Sequence, residues 1–129
     1  MSAVAATVQA LLAASGVAAL VSTRVYPVVA PQATAASHIV VHLIAEDDDM
    51  LLRGTAGYPN ARVSVECRAS TFTAVNALAE AVKSALQPLH LVTYAGVTVS
   101  FQKQGSDYSD FADESKTHRR IMDFYARWQ

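Results

Sequence analysis

A chain of 129 residues, 52% apolar and 16% charged, is long enough to bury one core and too apolar for general disorder, so residues 1–129 are expected to form a single domain. Ten Lys and Arg against eleven Asp and Glu give a formal charge of −1, which argues against the basic excess that tight direct nucleic-acid binding needs. A lone cysteine, Cys67, excludes an internal disulfide.

The first 23 residues carry no charged side chain. They lack the cationic start of a signal peptide and are too rich in alanine to insert well in a membrane, so a folded helix is expected, with no membrane partner. Val4, Val8, Leu11 and Leu12 recur at helical spacing between Ser2 and Ala14. Ser15-Gly16 ends this helix, and Val17 to Val21 reads as a further short turn. Tyr26 to Ser37 holds two prolines and is expected to be an extended connection.

His38 to Ala45 reads as a strand with Ile39, Val41 and Leu43 on one side, followed by a loop from Glu46 to Asn60. Arg62 to Ser70 alternates cleanly. Val63, Val65, Cys67 and Ala69 fall on one face, and Arg62, Ser64, Glu66 and Arg68 on the other. Thr71 is placed to cap a helix whose apolar stripe, Phe72, Val75, Leu78, Ala79, Val82 and Leu86, runs to Pro88. Gly96 to Lys103 alternates again, burying Val97, Val99 and Phe101. A polar loop from Gln104 to Thr117 precedes a last strand with Met122, Phe124, Ala126 and Trp128 inward and Ile121, Asp123, Tyr125 and Arg127 outward.

The order α-β-β-α-β-β predicts an α+β fold: a single four-stranded, mostly antiparallel sheet with two α-helices packed on one face and long hairpin loops. The second and third strands are expected to run parallel through a right-handed crossover, which sends the two hairpin loops to opposite ends.

Eight of the eleven acids fall in those loops: Glu46, Asp47, Asp48 and Asp49 in the first, beside Arg53, and Asp107, Asp110, Asp113 and Glu114 in the second. Basic residues take the outward sheet face, at Arg62, Arg68, Arg119 and Arg127, with Arg120 and Lys103 near its ends. Charged open faces are ordinary solvated surface. As a set, Arg62, Glu66, Arg68, Arg119, Asp123, Tyr125 and Arg127 suit contact between identical copies, and both long loops are expected to order on assembly.

Nothing points to catalysis or to a cofactor. The "EDDD" run lacks the alternate spacing and terminal glutamate of a calcium loop, and on a strand His38 and His42 stand about 13 Å apart, too far for one metal ion. Phosphate-loop, nucleophile-elbow and HExxH motifs are missing, so an enzyme is not expected.

Five stretches carry a resemblance, in order along nearly the whole chain: "RVYP" from Arg24 with Pro31-Gln32, the loop with Leu52 and Gly54, "ARVSVECRAST" from Ala61, "ALAEAVKSAL" from Ala77 and "ESKTHRRIMDFYARW" from Glu114. Together they resemble the small tail-completion proteins of long-tailed bacteriophages, terminator-like proteins also found in prophages and gene-transfer particles. The resemblance implies a structural virion protein, assembled in the host cytoplasm, that caps the head-proximal end of the tail tube, ends tube polymerisation and helps join tail to head. It also implies a ring of about six copies around a channel that DNA crosses without specific binding, with the tail tube protein and a head connector or stopper as partners. The acidic loop residues would then line or guard the lumen. A connector or stopper of the same particle is the alternative, and a small-molecule-binding α+β domain a more distant one.

Overall fold

The computed structural model describes residues 3–30, 37–47, 50–51, 54–55, 60–89, 92–94, 97–112 and 116–128. It contains three helices and a six-stranded sheet, with a separate two-stranded ribbon. The expected four-stranded sheet with two helices is therefore corrected on both counts.

Helix α1 (Ala3–Ala13) and helix α2 (Ser15–Val21) meet at 87°. No single helix among the described residues is long and apolar enough to cross a membrane. The turn expected at Val17 to Val21 is thus a helix, and both Val17 and Val21 are buried. On α1 the buried face is Ala3, Ala6, Thr7, Ala10 and Leu11, while Val4, Val8 and Leu12 sit at its border. Small residues let the helix approach the sheet closely, which a stripe drawn through the larger residues misses. The Thr7 hydroxyl is satisfied by donating to the Ala3 carbonyl at 2.7 Å.

Strand β1 (Val25–Pro27) comes out of the segment expected to be a connection and pairs in parallel with β2 (His38–Asp47). Pro27 is tolerated because β1 lies at the edge of the sheet. A short ribbon of β3 (Met50–Leu51) and β4 (Gly54–Thr55) follows, and then β5 (Asn60–Ala69) runs antiparallel to β2. Helix α3 (Phe72–Leu86) is capped by the Thr71 hydroxyl, which accepts from the Ala74 amide at 3.1 Å. Strand β6 (Val92–Tyr94), β7 (Val97–Ala112) and β8 (Thr117–Trp128) complete the sheet in the order β1-β2-β5-β8-β7-β6.

Because β8 pairs antiparallel with both β5 and β7, those two strands run the same way with β8 between them. The α3 crossover therefore spans a strand, and the β2–β5 and β7–β8 connections lie at opposite ends of the sheet. Most of the polar "loop" from Gln104 is strand. Two extra residues bulge out between Gln104 and Tyr108, and pairing then resumes to Ala112.

Helices α1 and α3 pack on one sheet face, against Ile39, Val41, Val63, Val65, Cys67, Val99, Phe101, Met122, Phe124 and Ala126, and α2 packs against those two helices. The alternation of β5 and β8 holds as far as the structure describes it, the side chain of Trp128 lying outside that description. Two expected core members are instead exposed: Leu43, beside a bulge in β2, and Phe72, where α3 begins beyond the end of the sheet.

Candidate assembly surface

The face of the sheet away from the helices carries an ionic lattice centred on Glu66. Its neighbours on this face are set by strand register: Arg68 lies two residues along β5, and Arg119 of β8 stands opposite Arg68 and beside Asp110 of β7. Glu66 Oε2 accepts from Arg68 at 2.9 Å and faces His42 Nε2 at 3.6 Å, while Oε1 accepts from Arg119 at 3.2 Å. Arg119 also grips Asp110 in a two-pronged pair through Nε, at 2.6 Å, and its outer guanidinium nitrogen. Hydrogen bonding from Arg119 holds the Asp110 carboxyl below the usual range, and Asp110 in turn raises the Arg119 guanidinium. Farther up the face, Arg62 donates to Asp123 at 2.6 Å. Glu66, read from the sequence as an outward charge, is only 6% exposed, and Val40 beside it is fully buried. The back of the sheet is therefore ionic but not bare.

A second charge cluster sits on the helix side. Asp107 leaves the β7 bulge facing α3 and is held by Lys103 at 2.5 Å, Lys83 at 2.6 Å and Arg120 at 2.9 Å. Arg120 reaches on to Asn76 of α3 at 2.9 Å. Burial pushes the Asp107 carboxyl up, but the hydrogen bonds from Lys103, Lys83 and Arg120 outweigh it and hold the group well below the ordinary carboxylate value. This knot ties α3 to β7 and β8. At the same end, the His118 ring packs between Phe111, at 4.7 Å, and Phe72, at 6.3 Å.

The structure thus divides the residues expected at the two acidic tips. Glu46 is exposed near the end of β2, and Asp47 ends that strand. Asp107 and Asp110 are strand residues on opposite faces, each matched by cations. Asp48, Asp49, Arg53, Asp113 and Glu114 lie outside the described residues. Of the candidate contact residues, Arg62, Glu66, Arg68, Arg119 and Asp123 share the ionic face, with Tyr125 exposed on it. Arg127 follows at the far end of β8 and is also exposed. Sequence reasoning missed Lys83 and Asn76. Their only signal is a polar residue directly after a buried valine of α3, at Val75 and at Val82. Cys67 is buried, and burial pushes its thiol up to about 12, so it offers no nucleophile. Among the described residues no three His, Cys, Asp or Glu side chains are grouped to hold a metal ion.

Comparison with known proteins places this architecture. The sequence matches the family described as Tail completion protein gp17 over residues 5–129. The chain belongs to that family. Among solved structures, it is similar to a chain from the virion of a native gene transfer agent (GTA) particle, with 30% sequence identity and a TM-score of 0.66. That match covers 98% of this chain and 94% of the other. No curated protein matches. A tail-completion protein is a structural component of a phage-type virion tail, so this chain acts by assembling with other virion proteins.

Proposed function

We propose that this tail-completion protein closes the head-proximal end of a tail tube, ends tube growth, and presents the surface to which a head connector or stopper docks. It works as a ring of about six copies around the channel. The observation that carries this reading is the family match across residues 5–129. The geometry suits it. With the helices on one side, the sheet leaves its other side, with Arg62, Glu66, Arg68, Arg119, Asp123, Tyr125 and Arg127, available for contacts in the assembly. At the β2–β5 end, Glu46 and Asp47 lead in sequence to Asp48 and Asp49, and like charge there keeps passing DNA from adhering. Asp113 and Glu114 carry like charge at the opposite end.

Purified protein is mixed with tail tubes lacking a terminator and, separately, with filled heads. Binding at one tube end, with arrest of tube growth and recovery of head joining, supports the terminator role. Binding to heads but not to tubes makes the protein a connector or stopper. Replacing Asp47, Asp48 and Asp49 by lysine is expected to lower infectivity in a salt-sensitive way, and unchanged infectivity removes the lumen role.

A further inference from the structure

The sheet has two kinds of edge. Where β1 borders β2 and where β6 borders β7, the edge strands are only three residues long, and β1 carries Pro27. Short edges and proline are how proteins block unwanted strand pairing. Elsewhere the edge is open. β1 pairs with β2 only as far as Val41, so among the described residues no strand covers β2 from His42 to Asp47. β6 pairs with β7 only from Val97 to Val99, and no described strand covers β7 from Asp107 to Ala112.

Both open stretches present large apolar side chains. Leu43 and Ile44 are each 48% exposed on β2, and Tyr108 and Phe111 are 62% and 45% exposed on β7. A strained residue marks the point where pairing along the β2 edge stops. Val28 donates to the Val41 carbonyl at 2.8 Å and then adopts φ 67°, a left-handed conformation that a β-branched residue rarely takes. That turn ends the described pairing of this segment with β2, next to where the exposed pair begins.

We infer that these two edges are partners: β2 of one copy, from His42 to Asp47, pairs antiparallel with β7 of the next copy, from Asp107 to Ala112. This rests on the ring reading above and names its seam. Three features favour a second copy as the occupant. The two stretches have equal length. They lie on opposite edges of one sheet and run in opposite directions, so copies in the same orientation meet with antiparallel strands, a heterologous contact of the kind that closes rings. Pairing them end to end also sets Leu43 opposite Phe111, both on the helix-side face, so an apolar pair covers the seam.

The stagger is also that of a closed sheet. Leu43 stands level with Val63 and Phe111 with Ala69, so each neighbour is displaced by about 20 Å along the strands. Four strands at ~4.8 Å spacing give about 19 Å across. The resulting tilt, about 45°, lies at the upper end of the ~35–45° found in barrels.

The test is cross-linking on tail tubes that lack a terminator, where assembly is expected. The double variant Leu43→Cys with Phe111→Cys is treated with a short thiol-to-thiol reagent, the native Cys67 being buried and unreactive. A ladder of covalent oligomers up to the full ring is expected. Each single variant should yield no ladder. Rings seen by electron microscopy whose double variant gives no ladder would place the seam elsewhere and overturn the inference while leaving the ring intact. No oligomer on tubes at all would overturn both. Tyr108→Glu combined with Ile44→Glu, which sets like charge opposite Glu46 and Asp110 of the neighbour, folded by circular dichroism, is expected to bind tube ends at least tenfold more weakly, and unchanged binding counts against the seam.

Discussion

Replacing Asp107 by asparagine removes the anion shared by three cations. Its carboxylate forms ion pairs at 2.5, 2.6 and 2.9 Å with Lys103, Lys83 and Arg120, and its side chain is 12% exposed. A hydrogen bond to a charged group contributes about 1.5–3 kcal/mol, but the three are not additive, and both lysines can swing toward water once released. Arg120 stays tethered by Asn76. The substitution is therefore expected to cost about 2–4 kcal/mol, roughly 6–15 °C in melting temperature for a domain of this size. The cost also depends on pH with a definite sign. The folded-state carboxyl titrates below its unfolded value, so its stabilisation is complete above the unfolded value of about 3.9 and is lost as pH falls through that value toward the folded one. Urea unfolding of the wild type and Asp107→Asn at pH 7, 5, 4 and 3 is the assay. The two curves should differ fully at pH 7 and 5 and begin to approach each other below about pH 4. A difference under ~1 kcal/mol at pH 7, or one independent of pH, would refute the argument that this carboxylate anchors α3 to the sheet.

Glu66→Gln leaves Arg68 and Arg119 facing a neutral amide in a nearly buried position, and chemical denaturation should register a loss of about 1–3 kcal/mol with the folded secondary structure retained. Phe124→Ala empties the largest fully buried side chain among the described residues and should cost about 3–5 kcal/mol by the same measurement. Cys67, with a buried thiol pushed up to about 12, should resist a colourimetric thiol reagent at pH 8 in the native protein and react at once in denaturant.

Burial on one face is what made the strands readable. On β5 and β8 an apolar residue must recur at every second position, and the alternation of Val63, Val65, Cys67 and of Met122, Phe124, Ala126 records that demand. Helix α3 has both a cap and a stripe. Past Lys103 the demand disappears. Asp107 and Asp110 face opposite sides of β7, and each is neutralised by residues remote in sequence, Lys83 and Arg120 for one and Arg119 for the other, so neither face shows an apolar row. The two residues added at the bulge also displace the register. Strands β1 and β6, at three residues each, are too short to express a period. Of the candidate surface, the outward charges of β5 and β8 could be read from alternation. The burial of Glu66 and the open edges depend on which strands become neighbours, and the sequence pattern does not state that.

The pairing of charges changes what the net charge means. Among the described residues, Arg62, Arg68, Lys83, Lys103, Arg119 and Arg120 are engaged by acids, and the acids they engage are Glu66, Glu80, Asp107, Asp110 and Asp123. The remaining six acids are Glu46 to Asp49 and the pair Asp113-Glu114, all belonging to the two hairpin ends. A chain with a formal charge of −1 thus neutralises much of its sheet from within and places six acids, by sequence, at the two hairpin ends. A neutral sheet can pair with its own copy without repulsion, and an acidic end repels a polyanion moving past it. Both properties suit the ring proposed above, and they follow from where the cations sit rather than from how many there are.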